Sequence, residues 1–179
     1  MNNSKTKVSL TPAIYVADLA AYNAGHLHGE WIDATLDVED IELEIQEILK
    51  HSPVGDDAEE YAIHDTSDFW EAEISEYEDL TTVVEIARFL QEHGRLGAKL
   101  ISYLDNDLEI AKEAIDNHYC GEYESVEDYV QEFIGDTTQI PENLIYYIDY
   151  EKIARDMDLN GDIFTIELGC NEVHIFYNF

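Results

Sequence analysis

The stretch that decides the fold is Ile14-Tyr15-Val16-Ala17, then Tyr22-Asn23-Ala24-Gly25, then His26-Leu27-His28-Gly29-Glu30-Trp31-Ile32-Asp33. Two β-branched and aromatic runs on either side of an Asn/Gly cluster predict an antiparallel pair of strands. A helix follows. Asp37 stands at a helix N-cap with Asp40 three residues on, and Val38, Ile41, Ile45 and Ile48 recur at 3, 4, 3 spacing along one face. The opposite face is acidic, with Glu39, Glu42 and Glu47. Ser52-Pro53-Val54-Gly55 closes the helix, and Glu60-Tyr61-Ala62-Ile63-His64 reads as a third strand with Tyr61 and Ile63 on one face, giving a ββαβ unit.

Beyond Tyr77 the period becomes helical. Leu80, Val83, Val84, Ala87 and Leu90 are stopped by Gly94; Leu100, Ile101 and Leu104 follow, then Leu108, Ala111 and Ile115 up to Gly121. Ser125 with Asp128 predicts a capped helix carrying Val126, Tyr129, Val130 and Phe133, and Pro141 suits the first turn of another helix through about Arg155. Ile163–Leu168 and Glu172–Phe179, separated by Gly169-Cys170-Asn171, read as a closing hairpin. The expected fold is α+β, an elongated chain of three small domains: a ββαβ unit over 1–74, a short helical bundle over 75–118, and an α+β unit over 119–179.

Charge is the dominant feature. Of 179 residues, 41 are Asp or Glu and 9 are Lys or Arg, a net charge of -32, yet 45% are hydrophobic. Disordered acidic tails lack such apolar content, so the chain folds. The acids are interleaved with the apolar periodicity: Val8–Leu49 and His51–Ala87 hold no Lys or Arg, and Leu100–Glu151 holds only Lys112. Direct binding to nucleic acid is excluded, because such proteins neutralise phosphates with basic side chains. No apolar run marks a signal peptide or a membrane span, and Cys120 and Cys170 form no Cys-x-x-Cys, so a cytoplasmic protein with free thiols is expected.

Enzymatic motifs are missing. There is no Gly-rich phosphate loop or nucleophile elbow, and nine basic residues hold few anionic substrates, so neither catalysis nor a cofactor is expected. His26-x-His28 and His64-Asp65 lack further ligands at metal-site spacing, and acidic surroundings around His118 and Cys120 disfavour a thiolate. The sharpest local motif is Asp156-x-Asp158-x-Asn160-Gly161 with Glu167, which fits a calcium loop. It has no exit helix and no second copy, and the competing reading is a helix end turning into a hairpin.

Solubility needs a net charge of only about 2 to 8 in a small domain. At one charge per ~1.7 Å of duplex axis, the observed excess corresponds to roughly 54 Å, or about 16 base pairs, of DNA. A globule of this length is only about 40 Å across, so matching that density requires an elongated shape.

Three runs of residues resemble the ArdA antirestriction family. They are Ile14–Leu19 with Tyr22-Asn23-Ala24-Gly25 and Gly29-Glu30-Trp31; Glu59-Glu60-Tyr61-Ala62-Ile63-His64-Asp65; and Leu144 with Tyr147-Ile148-Asp149-Tyr150, Arg155-Asp156 and Gly161. Ile153 stands where many relatives carry an aromatic residue. The resemblance implies a mimic of B-DNA carried by mobile elements, three small domains in a line that dimerise through the C-terminal one. Its partner would be the DNA groove of type I restriction-modification enzymes, with restriction and often modification blocked. The expected mimic surface comprises Glu39, Glu42, Glu47, Asp56, Asp57, Glu59, Glu60, Asp65, Asp68, Glu71, Glu73, Glu76, Asp105, Asp107, Glu109, Glu122 and Glu124. The expected antirestriction motif is Leu144, Tyr147, Asp149, Tyr150, Arg155 and Asp156.

Overall fold

A computed structural model describes residues 11–55 and 58–179. Asp56 and Asp57, two of the expected surface acids, lie outside the described residues. The architecture is α+β, with two three-stranded antiparallel sheets, and the chain gathers into two compact units, one ending at Asn106 and the other running Asp107–Phe179.

In the first unit, β1 (Ala13–Asp18), β2 (Gly29–Asp33) and β3 (Tyr61–Ser67) lie in the order β2-β1-β3. A short helix, α1 (Leu19–Asn23), runs into the expected turn: Asp18 caps it by accepting from the Ala21 amide at 3.1 Å, and the Gly25 amide donates to the Tyr22 carbonyl at 3.0 Å. His26 and His28 consequently fall before β2 rather than within it. Tyr61 and Ile63 share one face of β3, as expected, through their regular pairing with Asp18 and Val16, and Ala62 between them is buried as well. Ala62 and Ile63 pair with Ala17 and Val16, all four buried, so the sheet is covered on both faces at this end; just beyond, Tyr15 pairs with Asp65, leaving His64 as a bulged extra residue.

Helix α2 (Val38–Lys50) turns Ile41, Ile45 and Ile48 inward, beside buried Ile14, Val16 and Ile32 of the sheet. Asp37 precedes it as anticipated but makes no side-chain cap. Its carboxylate is held by Arg88 of α3 (Leu80–Tyr103), whose Nη2 donates to Asp37 Oδ1 at 2.7 Å and to the Leu36 carbonyl at 3.0 Å, while Nε donates to the Thr35 carbonyl at 3.1 Å. One guanidinium thus fastens α3 to the start of α2. Within α3, Gly94 leaves helical geometry at φ 56°, where the sequence places a stop.

The second unit holds α4 (Leu108–Glu113), a π-helical turn (Ala114–His118), β4 (Tyr119–Tyr123), α5 (Val126–Thr137), α6 (Tyr150–Asn160), β5 (Ile163–Gly169) and β6 (Glu172–Tyr177), with strand order β4-β6-β5. The expected cap forms: Ser125 Oγ accepts from the Asp128 amide at 3.2 Å and donates to its carboxylate at 2.6 Å. The expected hairpin forms too, with Asn171 at φ 61° in its turn. Pro141 does not start a helix. Residues 138–149 are turns with a short 3-10 turn at Ile145–Tyr147, and α6 begins where Asp149 accepts from the Lys152 amide at 3.0 Å. The core of this unit joins Tyr129 and Val130 of α5, Ala154 of α6, and Ile163, Val173 and Ile175 of the hairpin. On the sheet's other face Phe164 stacks on Phe176 at 4.9 Å between centroids.

Gly29 marks the closest backbone approach in the first unit: a Cβ there would lie 2.4 Å from the Val16 carbonyl oxygen and 3.0 Å from the Tyr15 ring. Gly29→Ala is expected to lower stability by about 1 to 3 kcal/mol through overpacking, read as a lower urea midpoint. An unchanged midpoint would contradict this β1–β2 contact.

Candidate functional site

Burial of the isoleucine stripe on α2 forces the remaining helix surface outward, so Glu39, Glu42 and Glu47 are exposed. Glu59 and Glu60 precede β3, Asp65 lies on it, and Glu71, Glu73 and Glu76 lie on the connection to α3; all six are exposed, whereas Asp68 is half-buried. Asp105 is exposed at the end of the first unit with φ 56°. In the second unit Asp107 caps α4, accepting from the Ile110 amide at 3.0 Å, and Glu109, Glu122 and Glu124 are exposed. The carboxylate that is buried among the described residues, Asp18, is the cap of α1 and was not among the expected surface acids.

Some of these charges are partly neutralised. Lys50 Nζ lies 2.9 Å from Glu47 and Lys112 Nζ 2.7 Å from Glu109, both one helical turn apart, and Arg95 lies 3.5 Å from Glu71. The hydrogen bond and charge of Lys50 hold the Glu47 carboxyl below its ordinary value. Such exposed pairs contribute little to stability. With 41 acids and 9 bases, at least 41 − 9 = 32 carboxylates have no basic side chain to match them one to one. Neighbouring phenols register the field: the Glu76 charge, then burial, pushes Tyr77 up, and burial followed by the charges of Glu42 and Asp79 does the same to Tyr61. These phenols stay neutral.

The C-terminal motif divides into parts that build and parts that face outward. Asp149 caps α6, and Tyr150 packs against the core of its unit together with Ile153. Arg155 and Asp156 are exposed on α6. Leu144 and Tyr147 bound an exposed apolar strip with Ile145 and Tyr146, in which Tyr146 is 92% and Tyr147 83% accessible. Ile145 and Tyr146 were missed from sequence; the signal was an apolar run directly after Pro141-Glu142-Asn143 with neither helical nor strand periodicity.

Of the two readings of the Asp156–Glu167 spacing, the structure has the helix end turning into a hairpin. Asp156, Asp158 and Asn160 sit on α6 and Glu167 on β5, so the segment is a helix end and a strand rather than a loop that wraps a cation. Gly161 ends the helix at φ 72°, and Asn178 Nδ2 donates to its carbonyl at 3.0 Å. Among the described residues no group of three or more His, Cys, Asp or Glu side chains is arranged to hold a metal ion. The histidines have local roles instead. His28 Nε2 lies 2.7 Å from the Ile48 carbonyl, and His64 stands edge-on to Tyr22 at 4.9 Å and 3.8 Å from Glu76. Burial, rather than the acidic surroundings, pushes the Cys120 thiol up.

Residues 14–172 match the family model described as Antirestriction protein (ArdA), a span that takes in all three runs quoted above. The chain belongs to the ArdA antirestriction family. No curated protein matches it. Membership assigns an antirestriction function, and with it interaction with restriction-modification enzymes. Within the ArdA match, the Gly29-Glu30-Trp31 run contains the close approach of β1 and β2, and the Asp149-Tyr150 run contains the start of α6. No helix among the described residues is long and apolar enough to cross a membrane.

The C-terminal unit also buries His174 on β6, where Tyr119 Oη and Nδ1 are hydrogen-bonded at 2.8 Å. Burial lowers the His174 pKa, against the opposing charges of Glu122 and Glu172. The folded imidazole is therefore neutral where an unfolded one, at about 6.5, begins to charge. Stability from this group is intact above that value and is lost as pH falls toward the folded pKa, because the unfolded chain then binds the extra proton. Thermal unfolding at pH 7.5 and 5.5 should show a larger loss for the natural chain than for His174→Gln; equal losses would contradict the assignment.

Proposed function

We propose that the chain inhibits type I restriction-modification enzymes by imitating B-DNA, its carboxylates standing in for phosphates in the enzyme's DNA channel. The observation that carries this reading is that the expected mimic acids, wherever described, lie outside the cores of both units, with Asp68 alone half-buried. A surface of this kind meets Lys and Arg side chains placed for phosphates, and both surfaces release condensed ions on contact. No chemical step is involved; the chain acts by occupancy, as a non-enzymatic competitor in the cytoplasm, without a cofactor.

The same reading extends to assembly. Three small domains in a line, with bounds near residues 74 and 118, would spread the charge to DNA-like density. A homodimer joined through the C-terminal domain would lengthen the mimic, and the accessible Leu144-Ile145-Tyr146-Tyr147 strip is the kind of apolar surface a second copy covers. Carriage by mobile elements and inhibition of modification as well as restriction belong to the same proposal.

Spread-out mimicry makes a quantitative statement about mutants. Neutralising Glu59, Glu60, Glu73 or Glu76 singly should change inhibition less than about twofold, whereas neutralising all four together should weaken binding about tenfold or more and flatten its salt dependence. Titration of the enzyme's inhibition at several salt concentrations reads both effects. Loss of inhibition from one of these single substitutions in a folded chain would overturn the proposal.

A further inference from the structure

Charge alone does not account for the outer face of the N-terminal sheet. The register sets Tyr15 of β1 directly opposite Trp31 of β2, and their rings meet at 5.5 Å with planes tilted by 59°. Gly29 makes this possible by leaving room for the Tyr15 ring above the strand. Alternation sends Ile14, Val16 and Ile32 into the core, so Tyr15 and Trp31 point the other way, and Trp31 remains 49% exposed. On the far side of Tyr15 the register places Asp65 of β3 opposite it, and Asp33 follows Trp31 by two residues on the same face of β2. The row across the sheet is indole, phenol, carboxylate.

The cross-strand aromatic pair stabilises the sheet, yet it leaves about half of the indole in water, open to a further contact. Its chemistry suits one class of occupant. A guanidinium is planar and weakly hydrated, stacks on aromatic faces, and donates in the plane to carboxylates alongside, whereas DNA and acidic peptides are repelled by Asp33 and Asp65. Tryptophan, tyrosine and arginine are also the residues that most often dominate binding energy at protein interfaces.

We propose that Trp31 and Tyr15 are the anchoring pair of the interface, receiving an arginine of the DNA-binding surface that the chain occupies. This rests on the mimicry proposed above and adds an attachment point that a duplex does not have. The pair supplies affinity through stacking rather than ion release, so its removal should weaken binding without altering the salt dependence.

The test measures the dissociation constant of the full chain for the methyltransferase core of a type I enzyme at several salt concentrations. Trp31→Leu keeps an apolar side chain and removes the ring face; it should weaken binding about tenfold with the slope of log Kd on log salt unchanged. Trp31→Phe should recover most of that loss, and Asp65→Asn should reduce the slope by about one. If the natural chain binds the enzyme but folded Trp31→Leu binds within twofold of it, the anchoring role is wrong while mimicry stands. A loss of self-association on sedimentation, with enzyme affinity unchanged, would also overturn it by assigning the pair to a second copy. If the natural chain itself does not bind, mimicry and anchor fall together.

Discussion

Repulsion between like charges is the constraint on which the rest of this structure depends. A net charge of -32 on 179 residues opposes any compact arrangement, and each carboxylate that loses water without a partner adds a further cost. The fold answers by keeping its cores small and predominantly apolar. Ile14, Val16, Ile32, Ile41, Ile45 and Ile48 serve one unit, and Val130, Ile163, Val173 and Ile175 with Tyr129 the other, while the acids occupy the outward faces of the same elements. Where a carboxylate is drawn into the architecture it has a task. Asp18, Asp79, Asp107 and Asp149 cap helices, and Asp37 receives the guanidinium that ties α3 to α2. Basic residues are too few to neutralise the surface, and Lys50 of α2 and Lys112 of α4 each pair with an acid one turn away on their own helix.

This division between apolar interior and acidic exterior was legible in the sequence wherever one periodicity governed. The isoleucine spacing on α2, the Ser125 cap and the final hairpin follow from local patterns, and the structure has each of them. Long-range contacts overrode local signals elsewhere. Asp37 looks like a side-chain cap but is claimed by Arg88, 51 residues away. The bulge that skips His64 changes which residues of β3 face inward, and strand periodicity cannot announce it. The Asp156–Glu167 spacing matched a calcium loop because acidic residues are abundant; the helix that reaches Asn160 prevents it. Surface acids were the easiest to place, since nearly any Asp or Glu outside the apolar stripe had to be exposed. The tip of the C-terminal motif was harder, because Ile145 and Tyr146 obey the apolar rule in composition and break it in position.

Family membership and physical reading meet in the same segments. The Gly29-Glu30-Trp31 run is simultaneously the site of closest strand approach and of the exposed indole, and the Asp149-Tyr150 run both starts α6 and adjoins the accessible apolar strip. A protein that only needed solubility would require neither the excess of charge nor aromatic side chains set among it. A protein that must enter a channel built for DNA needs both: carboxylates to meet lysines and arginines over a long surface, and a few shaped contacts to hold it there.

The central claim is that the chain and DNA compete for one surface. The most direct measurement follows a fluorescently labelled cognate duplex bound to a type I methyltransferase core while the unlabelled chain is added. The account predicts complete displacement of the duplex at saturation, with an apparent affinity for the chain that falls in proportion to added DNA and no binding of the chain to DNA alone. A ternary complex of enzyme, duplex and chain at saturation would contradict it.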